Sequence, residues 1–179
     1  MRFFDILFSF IGIIILLPIF FIIYILAWMD TRSPLFFQKR VGLNLKIFTV
    51  IKFRTMKTKT LSKGTHLIDL SNITYFGGFL RKSKLDELPQ LWNVFIGDMS
   101  LVGPRPCLVN QKLLINERKK KGVFKVKPGI TGLAQISGIT MQKPKLLAKT
   151  DSKMIKHLNY YYYFYYIFKT FLPFSKKRV

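Results

Sequence analysis

Between Ile6 and Met29 the chain runs for 24 residues without a charged side chain. No other segment constrains the fold as strongly. As one helix the run would be about 36 Å long, enough to cross the hydrocarbon of a bilayer. It lacks the marks of a cleaved leader: Arg2 and Asp5 precede it, and no small-residue cleavage site follows. Pro18 lies at its middle, where proline removes a backbone hydrogen bond and bends a helix. The sequence offers no second apolar span to satisfy the freed carbonyl. On the residues alone, a spanning anchor and a re-entrant hairpin both fit. The flanking charges, Arg2 on one side and Arg32, Lys39 and Arg40 on the other, do not separate them. The basic bulk of the chain is expected on the cytoplasmic side.

That bulk is very basic. The 179 residues carry 30 Lys and Arg against 8 Asp and Glu, a formal charge of +22, yet half of the chain is hydrophobic. Charge with apolar excess points to an anionic membrane surface or to polyphosphate ligands. Nucleic acid would account for the charge but not the apolar content, so no nucleic acid partner is expected. The single Cys107 excludes an internal disulfide and reads as a buried small hydrophobe. His66 and His157 stand in unlike segments.

With acids so scarce, the adjacent pair Asp86-Glu87 stands out, flanked by Arg81, Lys82 and Lys84. Two carboxylates among cations suit a metal ion or covalent chemistry; acids in the first turn of a helix, where the dipole favours them, are the plainer reading. Leu88, Leu91, Trp92 and Phe95 then mark one apolar helical face. Pro89 fits only if the helix begins near Asp86, and Gly97 suits its stop. The pair is thus expected at a helix N-terminus, where free amides attract phosphate oxygens. Beyond it, Pro104 and Pro106 stiffen the backbone around Arg105, and a rigidly held guanidinium suits bidentate phosphate binding.

Elsewhere, Leu35–Gln38 and Ile47–Phe53 read as a β-hairpin about a Gly42-Leu43-Asn44 turn. Lys52 and Arg54 fall on one face of its second strand. Residues 57–71 read as a polar loop, Ile73–Leu80 as a weak helix, and Leu108–Lys121 as a helix with a basic end. Two glycines in Pro128–Gly132 permit close backbone approach to a ligand. Tyr160–Tyr166 is an unbroken aromatic run, with Tyr160, Tyr161, Tyr162 and Tyr163 at its head and Lys176, Lys177 and Arg178 beyond it. Such a segment suits a membrane interface better than a core, which would have to satisfy six hydroxyls.

Four blocks carry a resemblance: KFRTM at 52–56, DELPQLWNV at 86–94, GDMSLVGPRP at 97–106 and KPGITGLAQ at 127–135. In this order they closely resemble the bacterial sugar transferases, the monotopic phosphoglycosyl transferases, in their small, catalytic-domain-only form. With the apolar N-terminus and the tail, the likeness covers nearly the whole chain. It implies a mixed, helix-rich α/β fold with a small β-hairpin. It also implies a kinked helix at 1–30 that re-enters the cytoplasmic face of the bacterial inner membrane. A catalytic domain at 31–158 and a membrane-interface tail at 159–179 complete the expected organisation.

The implied reaction moves a sugar 1-phosphate from a UDP-sugar to undecaprenyl (polyprenol) phosphate. It opens polysaccharide or glycoconjugate synthesis. Asp86 would be the nucleophile and a ligand of Mg²⁺, and Glu87 would help prepare the acceptor phosphate or hold the metal site. Arg105, Lys52, Arg54 and Gln135 would bind phosphate oxygens. Two departures stand out. Leu17 precedes Pro18 where many members have Ser, and Ile136-Ser137-Gly138-Ile139 lacks the arginine that usually follows the Gln. Asp151 matches a family Asp. A non-catalytic, polybasic, membrane-anchored lipid-binding protein is the competing class, and it leaves the ordered blocks unexplained.

Overall fold

A computed structural model of the chain describes residues 1–58 and 70–172. Most of the loop expected over 57–71, His66, and Lys176, Lys177 and Arg178 of the tail lie outside the described residues. The expected mixed, helix-rich architecture with small sheets is present.

The apolar run forms one helix, α1 (Arg2–Thr31), which continues through Pro18 and is long and apolar enough to cross a membrane. Its start is tied to the rest of the protein. Arg2 donates to the carbonyls of Val94 and Phe95 at 2.5 and 2.7 Å. These belong to the end of α3 (Gln90–Ile96), where a cation meets the negative end of the dipole. Buried Asp5 accepts three hydrogen bonds on Oδ1, from the Ser100 hydroxyl, the Leu101 amide and the Tyr163 hydroxyl. The middle of α1 also rests on the body, with the Phe10 and Phe95 rings stacked at 5.9 Å. At its far end Phe20 and Ile23 pack with Phe53 and Leu80, and Asp30 accepts from the Thr74 hydroxyl at 2.5 Å. The opposite face leaves Ile14, Ile15, Leu17 and Phe21 exposed.

The hairpin follows. β1 (Leu35–Val41) and β2 (Ile47–Phe53) pair antiparallel, from Leu35 opposite Phe53 to Val41 opposite Ile47. β1 runs three residues beyond its expected end because its other edge is also paired. β4 (Cys107–Leu108) bonds to Arg40 and Val41 there, and takes up the start of the helix expected from Leu108. That helix, α4, is Lys112–Lys120, and α2 is Tyr75–Ser83. A parallel pair, β3 (Ser100–Val102) and β5 (Gly129–Thr131), completes the strands. A Cβ on Gly129 would lie 2.0 Å from the Gly103 nitrogen, so this glycine lets two backbones cross.

The apolar face expected on α3 does not face the core. Leu91 and Phe95 turn to α1, Trp92 is half exposed, and Gln90, Asn93 and Val94 are the buried residues. Asn93 explains this. Its amide accepts from Ile51 N–H at 3.0 Å and donates to the Thr49 carbonyl at 2.8 Å. It thereby satisfies the free edge of β2 as another strand would.

Two helices close the body. The polar-looking α6 (Pro144–His157) was not evident as a helix; it has Pro at its first turn and buries Leu147, Ala148, Asp151 and Met154. In α7 (Tyr160–Phe171) the aromatic run divides by helical face. Tyr163 and Tyr166 are buried with Val102 and Met154, whereas Tyr160, Tyr161 and Tyr162 are exposed. The tail is therefore not a purely interfacial segment, because one of its faces belongs to the core and Asp5 satisfies the Tyr163 hydroxyl. Tyr163→Phe leaves a buried carboxylate short of one donor. It is expected to lower stability by about 1.5–3 kcal/mol, measured as a reduced melting temperature in detergent.

Candidate active site

Helix α2 ends at Lys84, whose φ of 59° is left-handed, and the chain turns at once into a 3-10 turn, Leu85–Glu87. The helical path does begin near Asp86, as Pro89 requires, but as 3-10, with α3 opening only at Gln90. The difference matters chemically. At three residues per turn, successive side chains diverge by about 120°. The two adjacent carboxylates therefore meet different surroundings.

Glu87 turns into a nest of cations. Its Oε1 accepts from Lys52 Nζ at 2.8 Å and from an Arg105 guanidinium nitrogen. Burial alone would raise its proton affinity, but Arg105 and then Lys52 outweigh that and hold the carboxyl well below the usual range. Asp86 has no ion pair within 4 Å among the described residues. Burial first, then repulsion from Glu87, pushes its carboxyl up to about 6, against the pull of Lys52, Arg81 and Arg105. Two neighbours thus differ in role: one is locked and always charged, the other unpaired and titrating near neutrality. Lys52 is pulled down by burial, and Arg105 is raised by Glu87.

Arg105 is fixed from behind as well as by Pro104 and Pro106. Arg118 of α4 donates to the Arg105 carbonyl at 2.8 Å, and its Nε and a terminal nitrogen donate to Asp151 Oδ2 at 3.0 and 2.8 Å. Arg118 is 1% exposed and Asp151 fully buried. Asp151 is therefore the counter-ion of a buried clamp under the arginine loop. Gln135, on α5 (Leu133–Ile136), supports the same loop by donating to the Gly103 carbonyl at 3.2 Å.

Of the residues expected to bind phosphate, Lys52 and Arg105 meet at Glu87. Arg54 does not join them. β2 ends at Phe53, so the strand alternation lapses, and Arg54 donates to the carbonyls of Ser33 and Leu35 at 2.9 and 3.3 Å. Sequence reasoning missed Arg40 and Arg81. Arg40 lies opposite Phe48, so the alternation of the paired strands sets it on the face that bears Lys52, a signal present once the hairpin register is known. Arg81 donates to the Thr55 hydroxyl at 2.7 Å and feels the charge of Asp86. Arg118 has no counterpart signal in its own segment.

Among the described residues no three His, Cys, Asp or Glu cluster as a metal site. A divalent ion of the Mg²⁺ kind needs no such cage, since it is often held by one or two carboxylates together with substrate phosphates. Asp86, unpaired, has the free lone pairs for that.

The family described as Bacterial sugar transferase matches residues 1–177. An uncharacterized sugar transferase EpsL of Bacillus subtilis is 52% identical over 107 residues, which are 59% of this chain and 52% of the relative. The UDP-glucose:undecaprenyl-phosphate glucose-1-phosphate transferase of Xanthomonas campestris is 41% identical over 139 residues, 72% of this chain and 28% of that protein. The protein of the same description in Escherichia coli is 33% identical over 182 residues, 93% of this chain and 38% of that protein. The chain thus spans about half or less of the length of these relatives. A match along nearly its whole length, with the carboxylate pair and its cations assembled in one place, makes this chain a member of the bacterial sugar transferase family.

Proposed function

We propose that the protein transfers a sugar 1-phosphate from a UDP-sugar to undecaprenyl phosphate, in two steps through Asp86. The observation that carries this reading is the split between the carboxylates: Glu87 is neutralised by Lys52 and Arg105, and Asp86 is unpaired with its carboxyl near 6. In the first step an Asp86 oxygen attacks the sugar-bearing phosphorus. The bond from that phosphorus to the bridging oxygen breaks, and UMP leaves with the electron pair. In the second step an oxygen of the lipid phosphate attacks the same phosphorus, and the Asp86 carboxylate leaves. Lys52 and Arg105 offset the charge of the phosphate oxygens, and Glu87 keeps both cations aimed. Mg²⁺, held by Asp86 and the diphosphate, would supply charge neutralisation. The names of the Xanthomonas and Escherichia coli relatives support the donor and acceptor classes.

The test is the order of events. Enzyme, Mg²⁺ and the correct UDP-sugar, without lipid, should release at most one UMP per active site and leave a phosphosugar on the peptide bearing Asp86. Release of UDP, or a first UMP that strictly requires lipid, overturns the reading.

The same proposal seats the protein on the cytoplasmic face of the inner membrane, with α1 entering and leaving by that face and bending at Pro18. The support is that both ends of α1 are held by the one folded body, at Arg2 and Asp5 and again at Asp30. Exposed Trp92, Ile96, Tyr160 and Tyr161 extend the apolar surface beside it. A single cysteine at exposed Phe3, in a Cys107→Ala background, should resist an impermeant thiol reagent on intact cells. Labelling there would place the N-terminus outside and exclude the re-entrant course.

A further inference from the structure

Beside the Glu87 cluster lies a cleft lined by Arg40, Lys52, Gln90, Arg105, Pro106 and Gly129 among others. Two of its side chains have buried donors with no acceptor among the described residues: Arg40 Nε and Gln90 Nε2. Gln90 is 3% exposed. The two terminal nitrogens of Arg40 each have a partner, donating to the Pro106 carbonyl at 2.9 Å and to the Gln38 side chain at 2.5 Å, so Nε is the nitrogen left over among the described residues. A buried N–H is almost always paired, and two unpaired ones on residues lining one cleft call for an acceptor there.

The charges agree. Arg40, Lys52 and Arg105 bring three positive charges to this wall, and Glu87 is the one carboxylate paired with them. Asp86 also acts on Lys52 and Arg105, so about one positive charge remains uncompensated when both carboxylates are charged, and Arg40 and Arg105 repel each other. Burial, followed by that repulsion, draws Arg40 down to about 10. An anionic acceptor would satisfy the donors and balance the wall together. Unpaired N–H donors beside lysine and arginine suit the oxygens of a phosphoryl group.

We propose that this cleft is a further phosphoryl-oxygen subsite, in which Arg40 Nε and Gln90 Nε2 donate to one oxyanion and Lys52 and Arg105 neutralise it. The inference rests on the reading above only in naming the phosphoryl source, which is either the diphosphate of the donor or the phosphate of the lipid acceptor. Neither Arg40 nor Gln90 was singled out by its sequence context as a ligand-binding residue, and Gln90 sits on the buried face of α3 only because Asn93 turns that face to β2.

The test uses the full chain in detergent micelles, with inorganic pyrophosphate as probe and sodium chloride of equal ionic strength as control. Pyrophosphate should raise the wild-type melting temperature where the salt control does not. Gln90→Leu removes the donor at similar volume, and Arg40→Lys keeps the charge but loses the Nε–H. Each should weaken the pyrophosphate Kd about tenfold, as losing a hydrogen bond to a charged group does. Gln90→Glu, which keeps the shape and adds a negative charge, should weaken it further. Melting without anion checks that each variant is folded.

In steady-state assays the Gln90→Leu KM should rise for one substrate. A rise for the UDP-sugar assigns the subsite to the diphosphate, and a rise for a short-chain polyprenyl phosphate assigns it to the acceptor. No pyrophosphate shift in wild type, or Gln90→Leu and Arg40→Lys both matching wild type in Kd and in both KM values, overturns the subsite. If wild type binds pyrophosphate through Gln90 but transfers no sugar phosphate, the reaction fails and the subsite stands. If wild type transfers sugar phosphate and the variants match it throughout, the subsite fails and the reaction stands.

Discussion

Asp86→Asn is expected to abolish turnover while leaving the protein folded. The amide keeps the shape of the carboxylate but cannot attack phosphorus, so the rate should fall by at least about a thousandfold, a barrier increase of about 4 kcal/mol. Retention of more than about a tenth of the wild-type rate, a change under about 1.4 kcal/mol, would exclude covalent catalysis at this residue. Misfolding is not the expected cause of the loss. The wild-type carboxyl is pushed up to about 6, first by burial and then by Glu87, so the folded state holds its proton more tightly than the unfolded chain does. That contribution to stability is complete below the ordinary carboxyl value of 3.8 and is lost as pH rises through about 6. At pH 7 the charged Asp86 therefore costs stability, and the neutral Asn should melt at the same temperature as wild type or higher. Wild-type activity should run the other way across the same window, small at pH 5, rising through about 6 and level above pH 7, as the nucleophile loses its proton. Rate and melting temperature measured over one pH series check both signs.

Asp151→Ala should be the most destabilising of the single changes considered. It leaves the Arg118 guanidinium buried without the one carboxylate it pairs with among the described residues, since both nitrogens that face Asp151 donate to the same oxygen. Breaking one side of a buried pair costs about 3–5 kcal/mol. For a domain of this size that corresponds to a melting temperature lower by roughly 10 °C or more. Asp151 faces Arg118 and the protein interior, and Arg118 in turn holds the Arg105 carbonyl at 2.8 Å. The double change Arg118→Met with Asp151→Leu separates packing from positioning. An apolar pair of similar volume should restore most of the stability. It cannot hold the Arg105 carbonyl, so the rate should remain reduced. If the double variant recovers full activity as well as stability, the clamp plays no part in aiming Arg105.

The residues that mattered most to the site were legible because their composition was improbable. Two adjacent acids stand in a chain with eight, and an arginine stands between two prolines. The hairpin and the apolar run followed from local patterns that survive in the fold: an uncharged stretch in α1 and a period of two in β1 and β2. Where local pattern misled, a long-range contact had overridden it. Leu88, Leu91, Trp92 and Phe95 read as one apolar face, but Leu88 packs against Phe53 and Leu80 while Asn93, paired with the β2 edge, turns Leu91 and Phe95 to α1 and leaves Trp92 half exposed. The tyrosine run read as interfacial throughout, yet Tyr163 is in the core because Asp5, 158 positions away, accepts its hydroxyl hydrogen. Helix α6 escaped notice because Asp151 interrupts its apolar stripe, and only Arg118 makes burying that acid tolerable.

What the sequence determined by itself was therefore chemical identity: a long uncharged helix, a carboxylate pair, a stiffened arginine, a very basic body and the family they imply. What only the tertiary structure decided was the division of labour. Asp86 and Glu87 are the same kind of group one residue apart. They differ because a 3-10 turn sends their side chains about 120° apart, one into Lys52 and Arg105 from distant strands and loops, the other into a half-buried position without an ion partner. Proton affinity is set by what surrounds a carboxyl, and those surroundings come from residues 35 positions before the pair and 18 after it.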